Sequence, residues 1–305
     1  MSKKIVFMGT PDYATKIFQE LCENNYNIVA LYTQPDKKVG RKQIVTPPHI
    51  KQYCIDEGLS LKIFQPLALK DAMVANDIKN LKPDFIIVAA YGQILPRDIL
   101  DIAPCINLHA SLLPKYRGAS PIQQSILNND KYSGVTAMMM EEGLDSGDIL
   151  GLEYLKISKD MDVGLLFESL SKIAAKLTID ILKNYDALEP KRQDISKVSF
   201  CSKITKKDGL ITFDDSIKFY QKFKAYKYWP GVFLESGLKI KECKLVEETS
   251  SNNIGEILEI NKNNIIVGCA IGSIEITKVQ PTSKKEMSVV DYIRGARIEI
   301  GNNLS

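Results

Sequence analysis

The first half of this chain alternates short, apolar, β-rich runs with amphipathic stretches, and no other feature restricts its possible folds so strongly. Runs at 4–9 (KIVFMG), 27–33 (NIVALYT), 60–65 (SLKIFQ), 84–91 (DFIIVAAY), 105–110 (CINLHA) and 134–140 (GVTAMMM) read as strands. The stretches at 12–23, 49–57, 69–81 and 121–128 read as helices. Strands separated by helices predict an α/β fold, with a mostly parallel sheet, helices on both faces and right-handed crossovers. DFIIVAAY lacks polar alternation, which suits a strand buried on both faces. A stripe of Leu165, Leu166, Leu170, Ile173, Leu177 and Ile181 predicts one long amphipathic helix over 162–185.

The pattern changes after that helix. Residues 190–205 are polar, basic and weakly periodic, and they read as a linker. A helix is expected at 216–226, followed by short β runs that Asn-rich turns at 251–253 and 261–264 interrupt. That spacing predicts a small C-terminal β-barrel, OB-like in its first reading; a sandwich or an SH3-like barrel fits the pattern nearly as well. A length of 305 residues exceeds what a single core usually serves. The expected organisation is an α/β domain over 1–189, the linker over 190–205, and the barrel over 206–305. Trp229, the sole tryptophan, sits in YWPG and is expected to pack in the core rather than to stack on a base.

Composition excludes several classes. Hydrophobic residues make up 45% and charged residues 25%, as in ordinary soluble proteins. No run approaches the ~20 apolar residues of a membrane span. The opening MSKKIVFMGTPD enters a strand directly and lacks the apolar stretch of a secretory signal. Six scattered cysteines without a CxxC pair argue against a zinc site and against a disulfide framework. The expectation is a cytoplasmic monomer with no metal and no membrane attachment.

The net charge of +3 says little, but its distribution says more. From 191 to 227 there are ten Lys/Arg against four Asp/Glu, and 36–42 (DKKVGRK) carries four against one. The intervening 101–150 has three basic residues against six acidic. Two basic footholds flanking a less basic centre would suit a polyanion, although lysines that merely solubilise a surface explain the charge as well.

That centre holds the chemistry. Asn107 and His109 lie two apart on an apolar strand, so they share one face at its carboxyl end. Open α/β sheets bind ligands at that end. Asp145 follows on a glycine-flanked turn (GLDSGD). An amide N–H suits an oxygen that becomes negative when a carbonyl is attacked. An imidazole moves protons near neutral pH, and a carboxylate beside it would fix its orientation and favour its charged form. The chain has only two histidines, and the other, His49, lies in a basic loop. Taken singly, each residue has a plainer reading: Asn107 and His109 as loop caps, Asp145 as a turn residue bonding its own backbone. Gly9 follows the first strand as in a Rossmann-like dinucleotide fold, but GxGxxG is missing, so nucleotide-cofactor binding is weakly supported. No GxxxxGK[ST] motif points to ATP.

NLHASLLPKYRGASPIQ resembles the signature loop of the 10-formyltetrahydrofolate-dependent formyltransferases, and GVTAMMMEEGLDSGDIL resembles its partner segment. IVFMGTPDYA, QPDKKVGRK, VAAYGQILP and YWPGVF extend the likeness across most of the chain, towards the branch acting on methionyl initiator tRNA. The resemblance implies formyl transfer from 10-formyltetrahydrofolate to the α-amine of methionine on that tRNA, with Asn107, His109 and Asp145 as the catalytic set. It also implies folate contacts from Ser111, Leu112, Leu113 and Pro114, and from Gln93, Ile94, Leu95 and Gly143. Ile94 and Leu95 suit an ordinary core equally. The basic loop is implied to engage the tRNA acceptor end through Arg41, supported by Lys37, Lys38 and Lys42, and the C-terminal barrel is implied to bind tRNA. Lys115 and Arg117 suit an anion or plain solvent.

Three rival readings remain open from sequence. One is a formyltransferase for a small amine, another a formyltetrahydrofolate hydrolase, and the third an RNA-binding protein with a degenerate enzyme domain.

Overall fold

The structure is a computed structural model that describes residues 3–40 and 42–304. The chain divides into two units. One comprises 1–121, 132–156 and 166–202; the other comprises 122–131, 157–165 and 203–305.

In chain order the first part contains β1 (Lys4–Gly9), α1 (Asp12–Glu23), β2 (Asn27–Tyr32), β3 (Lys37–Val39), β4 (Ile44–Thr46), α2 (His49–Asp56), β5 (Ile63–Phe64) and α3 (Ala72–Leu81). There follow β6 (Phe85–Ala89), α4 (Arg97–Leu100), β7 (Cys105–His109), β8 (Arg117–Gly118), α5 (Pro121–Leu127), β9 (Tyr132–Met139), β10 (Ile149–Lys156), α6 (Val163–Asn184) and β11 (Phe200–Cys201). The central sheet has seven strands in the order β10-β9-β7-β6-β1-β2-β5. β1 pairs in parallel with β2 and β6, as do β2 with β5 and β6 with β7. The order reverses at β1, which opens the crevice where such sheets bind ligands.

The two-residue period of β1 explains the layers. Val6 and Met8 join Ile78 of α3 in one buried cluster. Phe7, pointing the other way, meets Phe18 of α1 edge-on with ring centroids 5.4 Å apart. A helix therefore covers each face, and the apolar runs of β1 and β6 are buried almost throughout.

All six expected strands are present, and the sheet is mostly parallel as expected. Its far edge is not, because β9 runs antiparallel to both β7 and β10. The sequence does not signal β10. Its sequence, ILGLEYLK, mixes exposed and half-buried positions, as an edge strand allows, and it shows neither a clean alternation nor an apolar run. The short turn between β9 and β10 has no room for a crossover, so the chain must return antiparallel. The basic loop also differs from expectation: β3 and β4 pair as an antiparallel hairpin that exposes Val39, Ile44 and Val45.

The second unit contains α7 (Ser216–Tyr226), β12 (Val232–Phe233), β13 (Lys239–Glu247), β14 (Ile257–Ile260), β15 (Ile265–Gly268), β16 (Ser273–Gln280), β17 (Met287–Ser288) and α8 (Val289–Ala296). Its antiparallel sheet has the order β12-β13-β16-β15-β14, with β17 also on β16, a small barrel-like domain. Asp215 caps α7 by accepting from the Lys218 N–H at 3.0 Å. Trp229 does not pack inside: it is 56% exposed. The Gly231 N–H closes a tight turn onto the Tyr226 carbonyl at 2.9 Å, which carries Trp229 outward. Phe213, Phe219, Tyr226, Val232 and Leu234 are buried in its stead.

The polar stretch that begins at residue 190 is bonded along the first unit as far as residue 202. Lys191 exchanges two backbone hydrogen bonds with Ile149, at 2.8 and 2.9 Å. β11 pairs in parallel with β8.

Candidate active site

β7 delivers Asn107 and His109 at its carboxyl end, and the β9–β10 turn delivers Asp145. The three side chains converge. Asp145 is the hub: its Oδ1 accepts from Asn107 Nδ2 at 3.4 Å, and its Oδ2 accepts from the Gly118 N–H at 2.8 Å. The same Oδ2 lies 3.7 Å from His109 Nδ1, with both side chains largely buried. That is ion-pair range for a protonated ring, though longer than a hydrogen bond.

The other ring nitrogen is also engaged. His109 Nε2 lies 2.9 Å from the Tyr116 carbonyl oxygen. A carbonyl only accepts, so Nε2 carries the hydrogen. The ring is thereby anchored at Nε2 while Nδ1 faces the Asp145 carboxylate, and an imidazolium would meet an oxygen at each nitrogen. Asn107 is half-buried. Its NH2 group has two hydrogens, so the bond to Asp145 leaves one for an incoming oxygen.

The backbone around this centre is bent into uncommon conformations. Ala90, Tyr116 and Asp145 have φ of 45°, 60° and 47°. Such left-handed angles in residues with a Cβ cluster at functional sites. Gly118 is the sharpest case. Its φ is +119°, and a Cβ there would lie 2.2 Å from the Cys201 carbonyl oxygen. Gly118→Ala is therefore expected to push β8 off β11 and to destabilise the fold by about 1–3 kcal/mol. Thermal unfolding of the variant measures this, and an unchanged midpoint would contradict it.

Segment 199–201 holds the loop that carries these groups. The Tyr116 N–H donates to Ser199 Oγ at 3.0 Å, and the Arg117 N–H donates to the Ser199 carbonyl at 2.9 Å. Cys201 Sγ lies 3.3 Å from the same Tyr116 oxygen that receives His109. Burial pushes the Cys201 thiol up, which keeps it a neutral donor.

The remaining candidates fall in several places. Ser111 Oγ donates to the Lys115 carbonyl at 2.6 Å, and the Ser111 carbonyl accepts from Thr136 at 2.7 Å. The Leu113 N–H donates to that same Thr136 hydroxyl at 3.1 Å. Leu113 is buried, while Leu112 and Pro114 are half-buried in this loop. Gln93 ties its own loop down: it accepts from the Leu69 N–H at 3.1 Å and donates to the Pro66 carbonyl at 3.2 Å. Leu95 belongs to the core cluster, whereas Ile94 is 77% exposed. Gly143 lies exposed in the Asp145 turn. Lys37, Lys38 and Lys42 are exposed on the β3–β4 hairpin, and Arg41 lies outside the described residues. Arg117 is not simply solvated, because its Nε and Nη2 bond Gln193 Oε1 at 3.1 and 2.8 Å.

The sequence carries no signal for the Gly118 N–H, the Tyr116 carbonyl or the 191–201 segment. The first two are backbone groups with no residue signature. The third was obscured by its polar composition. No group of three or more metal-ligating side chains occurs among the described residues, and no helix among them is long and apolar enough to cross a membrane.

Comparison with known proteins gives the class. The chain belongs to the formyl transferase family: the family's profile matches residues 3–182, and that of the formyl transferase C-terminal domain matches 203–297. Within it, the methionyl-tRNA formyltransferase of a Nitratiruptor species is 52% identical over 299 residues, 98% of this chain and 99% of that protein. The methionyl-tRNA formyltransferase of Campylobacter jejuni (strain RM1221) is 52% identical over 305 residues, 99% of each. Among solved structures, the sugar 3N-formyl transferase WlaRD, in the presence of dTDP and 5-N-formyl-THF, superposes with a TM-score of 0.67 at 18% identity. It covers 93% of this chain and 99% of that one. HypX from Aquifex aeolicus in complex with tetrahydrofolic acid gives 0.66 at 14% identity, over 96% of this chain and 47% of that one. At such identities these two structures speak for the fold alone.

Proposed function

We propose that this enzyme transfers the formyl group of 10-formyltetrahydrofolate to the α-amine of methionine esterified to initiator tRNA. The observation that carries the reading is the meeting of Asn107, His109 and Asp145 at the carboxyl end of β7. It does so in a chain about half identical, over its whole length, to methionyl-tRNA formyltransferases.

The neutral amine attacks the formyl carbon, and the carbonyl electron pair moves onto oxygen. The free Asn107 Nδ2–H meets that oxyanion, with the His109 ring beside it. Asp145 supports the ring through its Oδ2. The tetrahedral intermediate collapses as the bond to folate N10 breaks, and the proton lost by the amine passes to N10 through His109 or a water. The products are tetrahydrofolate and formylated methionyl-tRNA. Folate is held by the 111–114 loop and by backbone groups near 93–95 and 143.

The exposed Lys37, Lys38 and Lys42 on the hairpin, together with Arg41, contact tRNA phosphates, and the unit formed chiefly by 203–305 supplies further contacts. Phosphate contacts release counterions, so tRNA affinity falls steeply with salt. Each hairpin lysine replaced by alanine is expected to weaken binding and to flatten the log Kd against log salt slope by about 0.7–0.9. Salt titrations of the Lys37→Ala and Lys38→Ala variants read this directly, and a flat salt response of the parent protein would argue against polyanion recognition. The activity itself is tested by offering 10-formyltetrahydrofolate with methionyl initiator tRNA, with a small amine, or with no acceptor. Formylation of the tRNA is expected, and turnover confined to either of the other two arms would overturn the reading.

A further inference from the structure

We infer that Gln193 is a positioning residue for formyl transfer, holding the Asp145 turn at the working distance from His109 and Asn107. The inference rests on the function proposed above and adds a residue from outside both motif segments. Gln193 is 8% exposed. Its Nε2 donates to the Asp145 carbonyl at 2.9 Å and to the Gly147 carbonyl at 2.8 Å. Its Oε1 accepts from Arg117 Nε at 3.1 Å and Nη2 at 2.8 Å.

Both amide hydrogens and the carbonyl oxygen are thus engaged, and only one orientation of the amide matches two acceptors on one side with a guanidinium on the other. The side chain bridges the two loops that build the centre. One is the β9–β10 turn with Asp145, and the other is the β8 loop with Gly118 and the Tyr116 carbonyl.

The turn needs such a tether. Asp145 has a φ of 47°, a left-handed angle that costs energy in residues with a Cβ and persists where the surroundings hold it. Gly147 passes so close to β9 that a Cβ there would lie 1.9 Å from the Met139 carbonyl oxygen. The carboxylate contacts to Asn107 and His109 are already long, at 3.4 and 3.7 Å. A further ångström would end both. Misplacement on that scale, even from a distant change, can cost about 10²-fold in rate.

The test compares Gln193→Ala with Gln193→Glu. Glutamate keeps the length and the acceptor for Arg117, but its second carboxylate oxygen faces two carbonyl oxygens. If Gln193 merely packs or anchors Arg117, Gln193→Glu keeps its activity. If it holds the turn, Gln193→Glu loses at least as much as Gln193→Ala. Both variants are expected to lower kcat for methionyl-tRNA formylation about 10²-fold, with KM for the tRNA unchanged. Arg117→Lys, a milder change to the same pairing, should give a smaller loss of the same kind.

Amide hydrogen exchange over 139–149 in the free protein should quicken in both Gln193 variants, a readout independent of turnover. A kcat within twofold of the parent in Gln193→Glu, while Asn107→Ala loses about 10²–10³-fold, would overturn the positioning role and leave the proposed function standing. Unchanged exchange over 139–149 would overturn it whatever the parent protein catalyses.

Discussion

Asn107→Ala lowers kcat for formyl transfer about 10²–10³-fold with no loss of folding, the range expected when one donor to a developing oxyanion is removed. The reason is geometric. The Asn107 side chain is half-buried, and its bond to Asp145 is at the long end of the hydrogen-bond range. Deleting it opens a small space at a site already reached by solvent, not in the core. Asp145 keeps the Gly118 N–H, so the turn stays in place. The loss should therefore appear in kcat rather than in KM, because the oxyanion exists only after attack. Single-turnover formylation together with a thermal melt separates the two quantities. A turnover near that of the parent would remove Asn107 from the mechanism.

Asp145→Asn should be as damaging, about 10²–10⁴-fold, although it is nearly isosteric. The carboxylate offers acceptors on both sides: Oδ1 to Asn107, Oδ2 to Gly118 and, at 3.7 Å, to the His109 ring. A carboxamide has only one acceptor oxygen. Whichever way it turns, its NH2 group meets either the Asn107 NH2 or the Gly118 N–H, donor against donor. The negative charge that supports a cationic ring is lost as well. Asparagine is the informative replacement because, unlike alanine, it tolerates the left-handed backbone at this position. The damage is then chemical and not conformational. His109→Ala should lose a similar factor, and the double variant should be little worse than either single one, since residues that act as one unit are not additive. Two independent, multiplying losses would mean that Asp145 acts apart from the imidazole.

The candidate residues carried by regular elements are legible in the sequence. A two-residue strand period is enough to place Asn107 and His109 on one face of β7, and glycines around Asp145 are enough to mark a turn. The strands themselves were readable because apolar runs such as FIIVA have few conformations that bury them. Legibility failed where the deciding groups are backbone or where composition misleads. Nothing in the letters of 116–118 announces a carbonyl and an N–H aimed at His109 and Asp145. The basic and polar residues after 190 look like solvent-exposed tether, yet Gln193 is buried because its polar atoms find partners. Trp229 fails in the opposite sense: an apolar ring was expected inside, and a tight turn at Gly231 sets it outside.

Local sequence alone determined that a mostly parallel sheet would form, where six of its seven strands would lie, and which three side chains are candidates for the chemistry. Hydrophobic periodicity and turn residues act over a few positions and need no knowledge of distant neighbours. Tertiary structure alone decided that residues 107, 109, 145 and 193 meet, that the sheet closes with an antiparallel edge, and that the Asp145 carboxylate has two donors and a ring around it. Contacts between positions tens of residues apart depend on loop paths and on buried polar groups finding partners, and both are settled only once the whole chain has packed.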